Sequence, residues 1–141
     1  METIAGIELG GTKALAVLAR GSEILASARF ATTTPDETLA ALVKTLQGWK
    51  GREEFAALGI ASFGPLRLDP GAPDFGTMLA TPKAGWSGAD IAGALSTVAD
   101  CPWRIDTDVN AAALAEWRWG AGHGLDSLCY LISCPYSIKI L

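Results

Sequence analysis

The sequence has one histidine, His123, and three cysteines, Cys101, Cys129 and Cys134, with no C-x-x-C pair among them. An odd cysteine count argues against a disulfide framework, and a histidine with no second histidine or close cysteine has nothing to share a metal with, so zinc is not expected in this chain. Half the residues are hydrophobic, yet no run is long enough for a membrane span. Basic residues are in deficit: Lys+Arg 11 against Asp+Glu 15 leaves a formal net charge of -4. No cationic surface is therefore on offer to nucleic acid or an anionic membrane, and any phosphate must be bound locally. The first residues, Met1-Glu2-Thr3-Ile4-Ala5, put no basic segment ahead of an apolar run, so no secretory signal is read and a cytoplasmic chain is expected.

What is present suits a globular domain. At 141 residues, folding buries roughly 68–70% of the unfolded chain's surface, enough for one core. Apolar runs at 4–9 and 14–18 flank Gly10-Gly11-Thr12-Lys13, which reads as a tight hairpin, and a third strand at 23–29 completes an N-terminal meander. Thr34, Pro35, Asp36 and Glu37 start a helix carrying Leu39, Leu42, Val43 and Leu46 at helical spacing and ending near Gly48. Residues 55–61 form a short buried strand, 89–98 a second helix, 103–106 a strand, 109–119 a third helix with Leu114 and Trp117 on a partly apolar face, and 127–133 a closing strand. The order is that of a mixed α/β sheet covered by helices.

Three places could carry chemistry. At Glu8-Leu9-Gly10-Gly11-Thr12-Lys13 a glycine turn lets backbone amides approach phosphate oxygens, with a hydroxyl and a cation beside it. A side chain at Gly11 is expected to meet positive φ or a close contact; the plain alternative is an ordinary hairpin. Asp106-Thr107-Asp108-Val109-Asn110 puts two carboxylates where a strand hands over to a helix, and the helix macrodipole favours a charged Asp108. Simple capping is the alternative. The long segment 62–87, with Gly64-Pro65 at its start and Thr81-Pro82-Lys83 near its end, is long enough to be either a cleft wall or a surface excursion. Its embedded Phe63, Phe75, Met78, Leu79 and Trp86 argue for order. Gly120-Ala121-Gly122-His123-Gly124 reads as a helix stop, His123 as an exposed turn residue, and Trp117 and Trp119 as packing groups.

Taken together, the segments at 6–13, 59–66, 81–86 and 106–114 resemble the N-terminal lobe of a ROK-family sugar kinase, in its bacterial fructokinase-like branch. The resemblance spans residues 4 to about 133. It implies the actin-like ATPase (ribonuclease H-like) fold, a mixed sheet opening with the β-meander, and transfer of the ATP γ-phosphate to a hexose with Mg²⁺. By the same resemblance Gly10, Gly11, Thr12 and Lys13 contact the ATP phosphates, Glu8 sits near the metal, and Asp108 is the catalytic base. Gly64, Pro65, Thr81 and Thr107 fall in the sugar pocket, Thr107 where many glucokinase-like members have Asn. Fructose converted to fructose 6-phosphate is the expected reaction of a full-length form, and a homodimer its expected assembly.

After residue 132 the family continues with a second glycine-rich turn, a sugar-holding histidine, a zinc site and an adenine-binding lobe, whereas this sequence reads Ser133-Cys134-Pro135-Tyr136-Ser137-Ile138-Lys139-Ile140-Leu141. The expectation is a ROK N-terminal lobe over 1–133 and an atypical tail over 134–141, with the second lobe absent and activity of the short chain itself in question. A regulatory or degenerate sugar-binding lobe without catalysis is the alternative. Repression is disfavoured, since ROK repressors carry an N-terminal helix-turn-helix and the motif here begins at residue 6.

Overall fold

The computed structural model describes residues 1–132, in two compact units, Met1–Asp108 and a second from Val109 onward. In the first, β1 (Thr3–Leu9), β2 (Lys13–Arg20) and β3 (Glu23–Ala31) follow one another as antiparallel hairpins. Then come α1 (Pro35–Lys50), β4 (Leu58–Ser62), α2 (Ile91–Ala99) and β5 (Trp103–Thr107). The sheet runs β3-β2-β1-β4-β5, with β4 parallel to both β1 and β5. Antiparallel neighbours close through short turns, but parallel ones need a crossover, which α1 supplies between β1 and β4, and α2 between β4 and β5.

Side-chain alternation decides which face of the sheet is covered. Thr3, Ala5, Ile7 and Leu9 of β1 are buried, as are Ala14, Ala16 and Leu18 of β2, while Ile4 and Glu8 point to the opposite, exposed face. Over the buried face α1 lays Leu39, Leu42 and Leu46, and α2 lays Ile91 and Leu95. Burying one such side chain contributes about 1.5–3 kcal/mol, so these few positions carry much of the packing. Helix α1 begins as its sequence requires: Thr34 accepts the N–H of Glu37 (3.3 Å), and Pro35 takes the first helical position, where no N–H is needed. It runs through Gly48 to Lys50, because glycine merely weakens a helix and Trp49 beyond it packs on the core.

The segment between β4 and α2 is knit down. Isolated bridges pair Leu66 with Met78 and Thr77 with Asp90, and Trp86 is completely buried, edge-on to Phe63 at 5.2 Å between ring centres. The order expected from its aromatics is therefore present.

In the second unit α3 (Asp108–Trp119) continues from the first, and its end is marked by Gly120 and Gly122, whose N–H groups both donate to the Glu116 carbonyl (3.0 Å each). His123 lies exposed in the turn that follows. Two expectations are corrected here. Residues 127–132 form no strand, and Leu128, Leu131 and Ile132 stand exposed. Trp117 and Trp119 are not buried packing groups: both stand exposed, and Leu114 lies 60% exposed beside them, so the apolar side of α3 is not covered by other described residues of its own unit. Trp117 instead donates its indole N–H to the Leu125 carbonyl (3.2 Å). Ser133 and the tail 134–141 lie outside the described residues.

Candidate active site

Because β1, β4 and β5 run in the same direction, their carboxyl ends lie along one edge of the sheet. Leu9, Ser62 and Thr107 are in register across that edge, so the chain leaves it at three adjacent points: into Gly10–Lys13, into Phe63-Gly64-Pro65, and into Asp108. Ligands of open α/β sheets bind at this edge. The sequence segments singled out for chemistry, far apart in the chain, are thus brought together by sheet register.

The turn at the end of β1 is closed by the Gly10 N–H donating to the Lys13 carbonyl (2.9 Å). Neither Gly10 nor Gly11 has a left-handed φ, which corrects the expectation of positive φ or a close contact at Gly11. What needs glycine is space. A Cβ on Gly10 would lie 2.9 Å from the Lys13 carbonyl oxygen, whereas one on Gly11 would meet nothing within 4 Å. Gly11, Thr12 and Lys13 are all exposed. Gly11 therefore presents bare backbone to whatever approaches.

At the neighbouring exit the Phe63 N–H donates to the Leu9 carbonyl (2.7 Å), and buried Ser62 donates its hydroxyl to the Phe63 carbonyl (2.9 Å). The Gly64–Pro65 bond is cis, and a Cβ on Gly64 would lie 3.6 Å from the Thr107 methyl, so Gly64 and Thr107 adjoin. Thr81 follows two residues after Leu79, whose N–H donates to the Pro65 carbonyl (2.8 Å), and its own N–H donates to the Ser87 hydroxyl (3.1 Å). Thr81 is thus held on the side of the loop that returns past Pro65.

Glu8 and Asp106 are both exposed and, through the register Glu8 to Ala61 to Asp106, occupy one face of the sheet about 10 Å apart, two strand spacings. The Asp106 carboxylate accepts the Thr107 N–H (2.7 Å). Asp108 is the half-buried first residue of α3. A magnesium ion keeps several waters and asks for one or two carboxylates plus phosphate oxygens, a demand that Glu8 beside the turn, with Asp106 on the same face, fits. Among the described residues no group of three or more His, Cys, Asp or Glu side chains could hold a metal by itself.

Reading the sequence alone passed over Thr32 and gave Trp86 no bonding role. The Thr32 hydroxyl donates to the Gly10 carbonyl (2.8 Å), and the Trp86 indole donates to the Thr33 carbonyl (2.8 Å). The run Thr32-Thr33-Thr34 ahead of Pro35 was the available signal, but it is explained equally well as a helix start. At the other end of β5, away from Thr107, a cavity of about 590 Å³ is lined by Phe75, Trp103, Arg104 and half-buried Cys101, whose thiol burial pushes above its usual range. No helix among the described residues is long and apolar enough to cross a membrane.

The chain matches the ROK family over residues 4–133. It is 45% identical over 130 residues to a fructokinase of Zymomonas mobilis, covering 89% of this chain and 42% of that protein. A fructokinase of Lactococcus lactis subsp. cremoris is 38% identical over 126 residues, covering 89% and 41%. Among solved structures, a ROK family glucokinase from Streptomyces griseus in complex with glucose and AMPPNP superposes with a TM-score of 0.69 at 27% identity, over 86% of this chain and 38% of that one. The chain therefore spans about two fifths of the length of these relatives, and its mixed sheet has the actin-like ATPase fold seen in the ROK family glucokinase. On the match from residue 4 to residue 133 and on this likeness of fold, the chain belongs to the ROK family.

Proposed function

We propose that this chain is the N-terminal lobe, over 1–133, of an ATP-dependent hexose kinase that converts fructose to fructose 6-phosphate. The observation that carries the reading is the single sheet edge at which the glycine turn after β1, Gly64-Pro65 after β4 and Thr107-Asp108 after β5 all emerge. Fructose is favoured because the Zymomonas relative bearing that name is 45% identical, against 27% for a glucokinase of Streptomyces coelicolor.

In this reading the Gly10–Lys13 turn binds the ATP phosphates through the amides of Gly11 and Thr12, the Thr12 hydroxyl and the Lys13 ammonium, with Gly10 closing the turn. Gly64, Pro65, Thr81 and Thr107 wall the sugar, and the small residue at Gly64 lets a hexose come close to the backbone. Asp108 accepts the proton of the sugar's 6-hydroxyl as that oxygen bonds to the γ-phosphorus and the bond to ADP breaks. A carboxylate suffices for this, because the loose transition state of phosphoryl transfer asks the base chiefly to orient the hydroxyl and to take its proton late. Glu8 would hold Mg²⁺ on the turn side; bound there, the ion neutralises charge building on the phosphates. The remaining length that the relatives possess supplies the other wall of the cleft, since phosphoryl transfer depends on holding metal, phosphates and acceptor in line.

The test is a phosphotransfer assay on the chain joined after Ile132 to the second lobe of a ROK fructokinase, with fructose, mannose and glucose offered in turn. ATP-dependent phosphorylation with fructose preferred is the expected result, and chain 1–141 alone should match a blank. Sugar binding without turnover in the joined protein would favour a regulatory lobe instead.

A further inference from the structure

We propose that Thr32 is the positioning residue of the phosphate turn, holding the Gly10 and Thr12 carbonyls inward so that the amides of Gly11 and Thr12 face outward. The inference rests on the reading of Gly10–Lys13 as that turn. A loop that receives an anion must present N–H groups and keep its carbonyl oxygens away, because each carbonyl left facing the phosphate repels it. Three carbonyls in this turn are engaged: Lys13 by the Gly10 N–H (2.9 Å), Gly10 by the Thr32 hydroxyl (2.8 Å), and Thr12 by the Thr32 N–H (3.0 Å). Among the described residues the amides of Gly11 and Thr12 donate to no carbonyl. Thr32, only 7% exposed, thus fixes two of the three from just beyond the end of β3.

Thr32 is itself held. The next residue, Thr33, donates its N–H to the hydroxyl of buried Thr38 in α1 (3.0 Å) and accepts the indole N–H of Trp86 at its carbonyl (2.8 Å). The turn's geometry is therefore referred to the helix and to the long loop rather than to solvent. Valine would fill the same space as Thr32 but has no proton to give, so the hydroxyl's part can be separated from packing.

The experiment compares the 141-residue chain with Thr32→Val and Thr32→Ser by amide NMR, titrating inorganic tripolyphosphate and, separately, fructose. Thr32→Val should leave sheet resonances in place, broaden or shift Gly10–Lys13, and weaken tripolyphosphate about tenfold, the scale of one lost hydrogen bond of the stronger kind. Its fructose affinity should not change, and Thr32→Ser should behave like the parent. Unchanged turn resonances and tripolyphosphate affinity in folded Thr32→Val overturn the positioning role and leave the phosphate reading intact. Equal losses for tripolyphosphate and fructose overturn it too, as a general loosening would give that. No tripolyphosphate response at Gly11 or Thr12 in the parent chain rejects the phosphate reading, and this proposal with it. Should Thr32→Val not fold, Thr32→Ser against Thr32→Ala makes the same comparison, since that pair differs by the hydroxyl alone.

Discussion

Phe63 donates its backbone N–H to the carbonyl of Leu9 at 2.7 Å, joining the first residue after β4 to the last residue of β1. One bond therefore links the start of the loop proposed to wall the sugar to the start of the turn proposed to hold phosphate. The two candidate subsites share a hinge-free seam, and their separation is set by the strand spacing of about 4.8 Å.

The two glycines of the turn should respond oppositely to substitution. Gly10→Ala forces a Cβ to 2.9 Å from the Lys13 carbonyl oxygen and should cost about 1–3 kcal/mol of stability, read by chemical denaturation. Gly11→Val meets nothing of the chain within 4 Å and should leave stability nearly unchanged while weakening tripolyphosphate. If Gly11→Val binds tripolyphosphate as the parent does, the open side of the turn is not where phosphate sits.

Asp108→Asn keeps the shape of the side chain and removes the proton acceptor. In the joined two-lobe protein kcat should fall by about 10²-fold or more, with sugar affinity retained. Parent-like turnover in a folded variant would take Asp108 out of the mechanism.

The start of α1 has a stability and a pH signature. Thr34→Ala removes the hydroxyl that receives the Glu37 N–H and should cost about 1 kcal/mol. The Thr33 hydroxyl, then that of Thr34, hold the Glu37 carboxyl below its ordinary value of 4.5. A carboxyl lowered in the folded state stabilises above its unfolded value and loses that contribution as pH falls through the folded one. The melting difference between the parent and Glu37→Gln should therefore be present at pH 7 and shrink below about pH 4.5. A difference that grows toward acid would contradict the bond pattern.

Cys101 should alkylate slowly. Its thiol is half-buried, and burial raises it above its usual range, so little thiolate exists at neutral pH. Cys129 is exposed and should be modified by iodoacetamide before Cys101, as peptide mapping would read; faster labelling of Cys101 would show that its cover opens readily.

Most of the sheet was legible because its strands alternate cleanly and its helix α1 has a strong start signal at Thr34-Pro35. The edge of the site was legible for another reason: Glu8 to Lys13 and Asp106 to Asp108 sit at strand ends, where turn chemistry is local. Three things were not. The missing strand at 127–132 has an apolar sequence that would suit a strand, but a strand exists only with a partner to take its hydrogen bonds. Trp117 and Trp119 looked like packing groups for the same reason, since hydrophobicity reports a wish for burial and not its fulfilment. The tie from Thr32 to Gly10 joins residues 22 apart through a side-chain bond, and no periodicity announces such a contact.

The sheet order also has a bearing on how the molecule assembles. β1, β2 and β3 are consecutive and pair with one another, so each hairpin closes a short loop, whereas β1 meets β4 only after the chain has travelled from Ala5 to Leu58. Local pairings lose little chain entropy and form early, and distant ones come later. The Gly10–Lys13 turn, lying between β1 and β2, thus belongs to the part of the fold that a nascent chain can form first. The Gly64-Pro65 segment has to wait for α1 to bring β4 home.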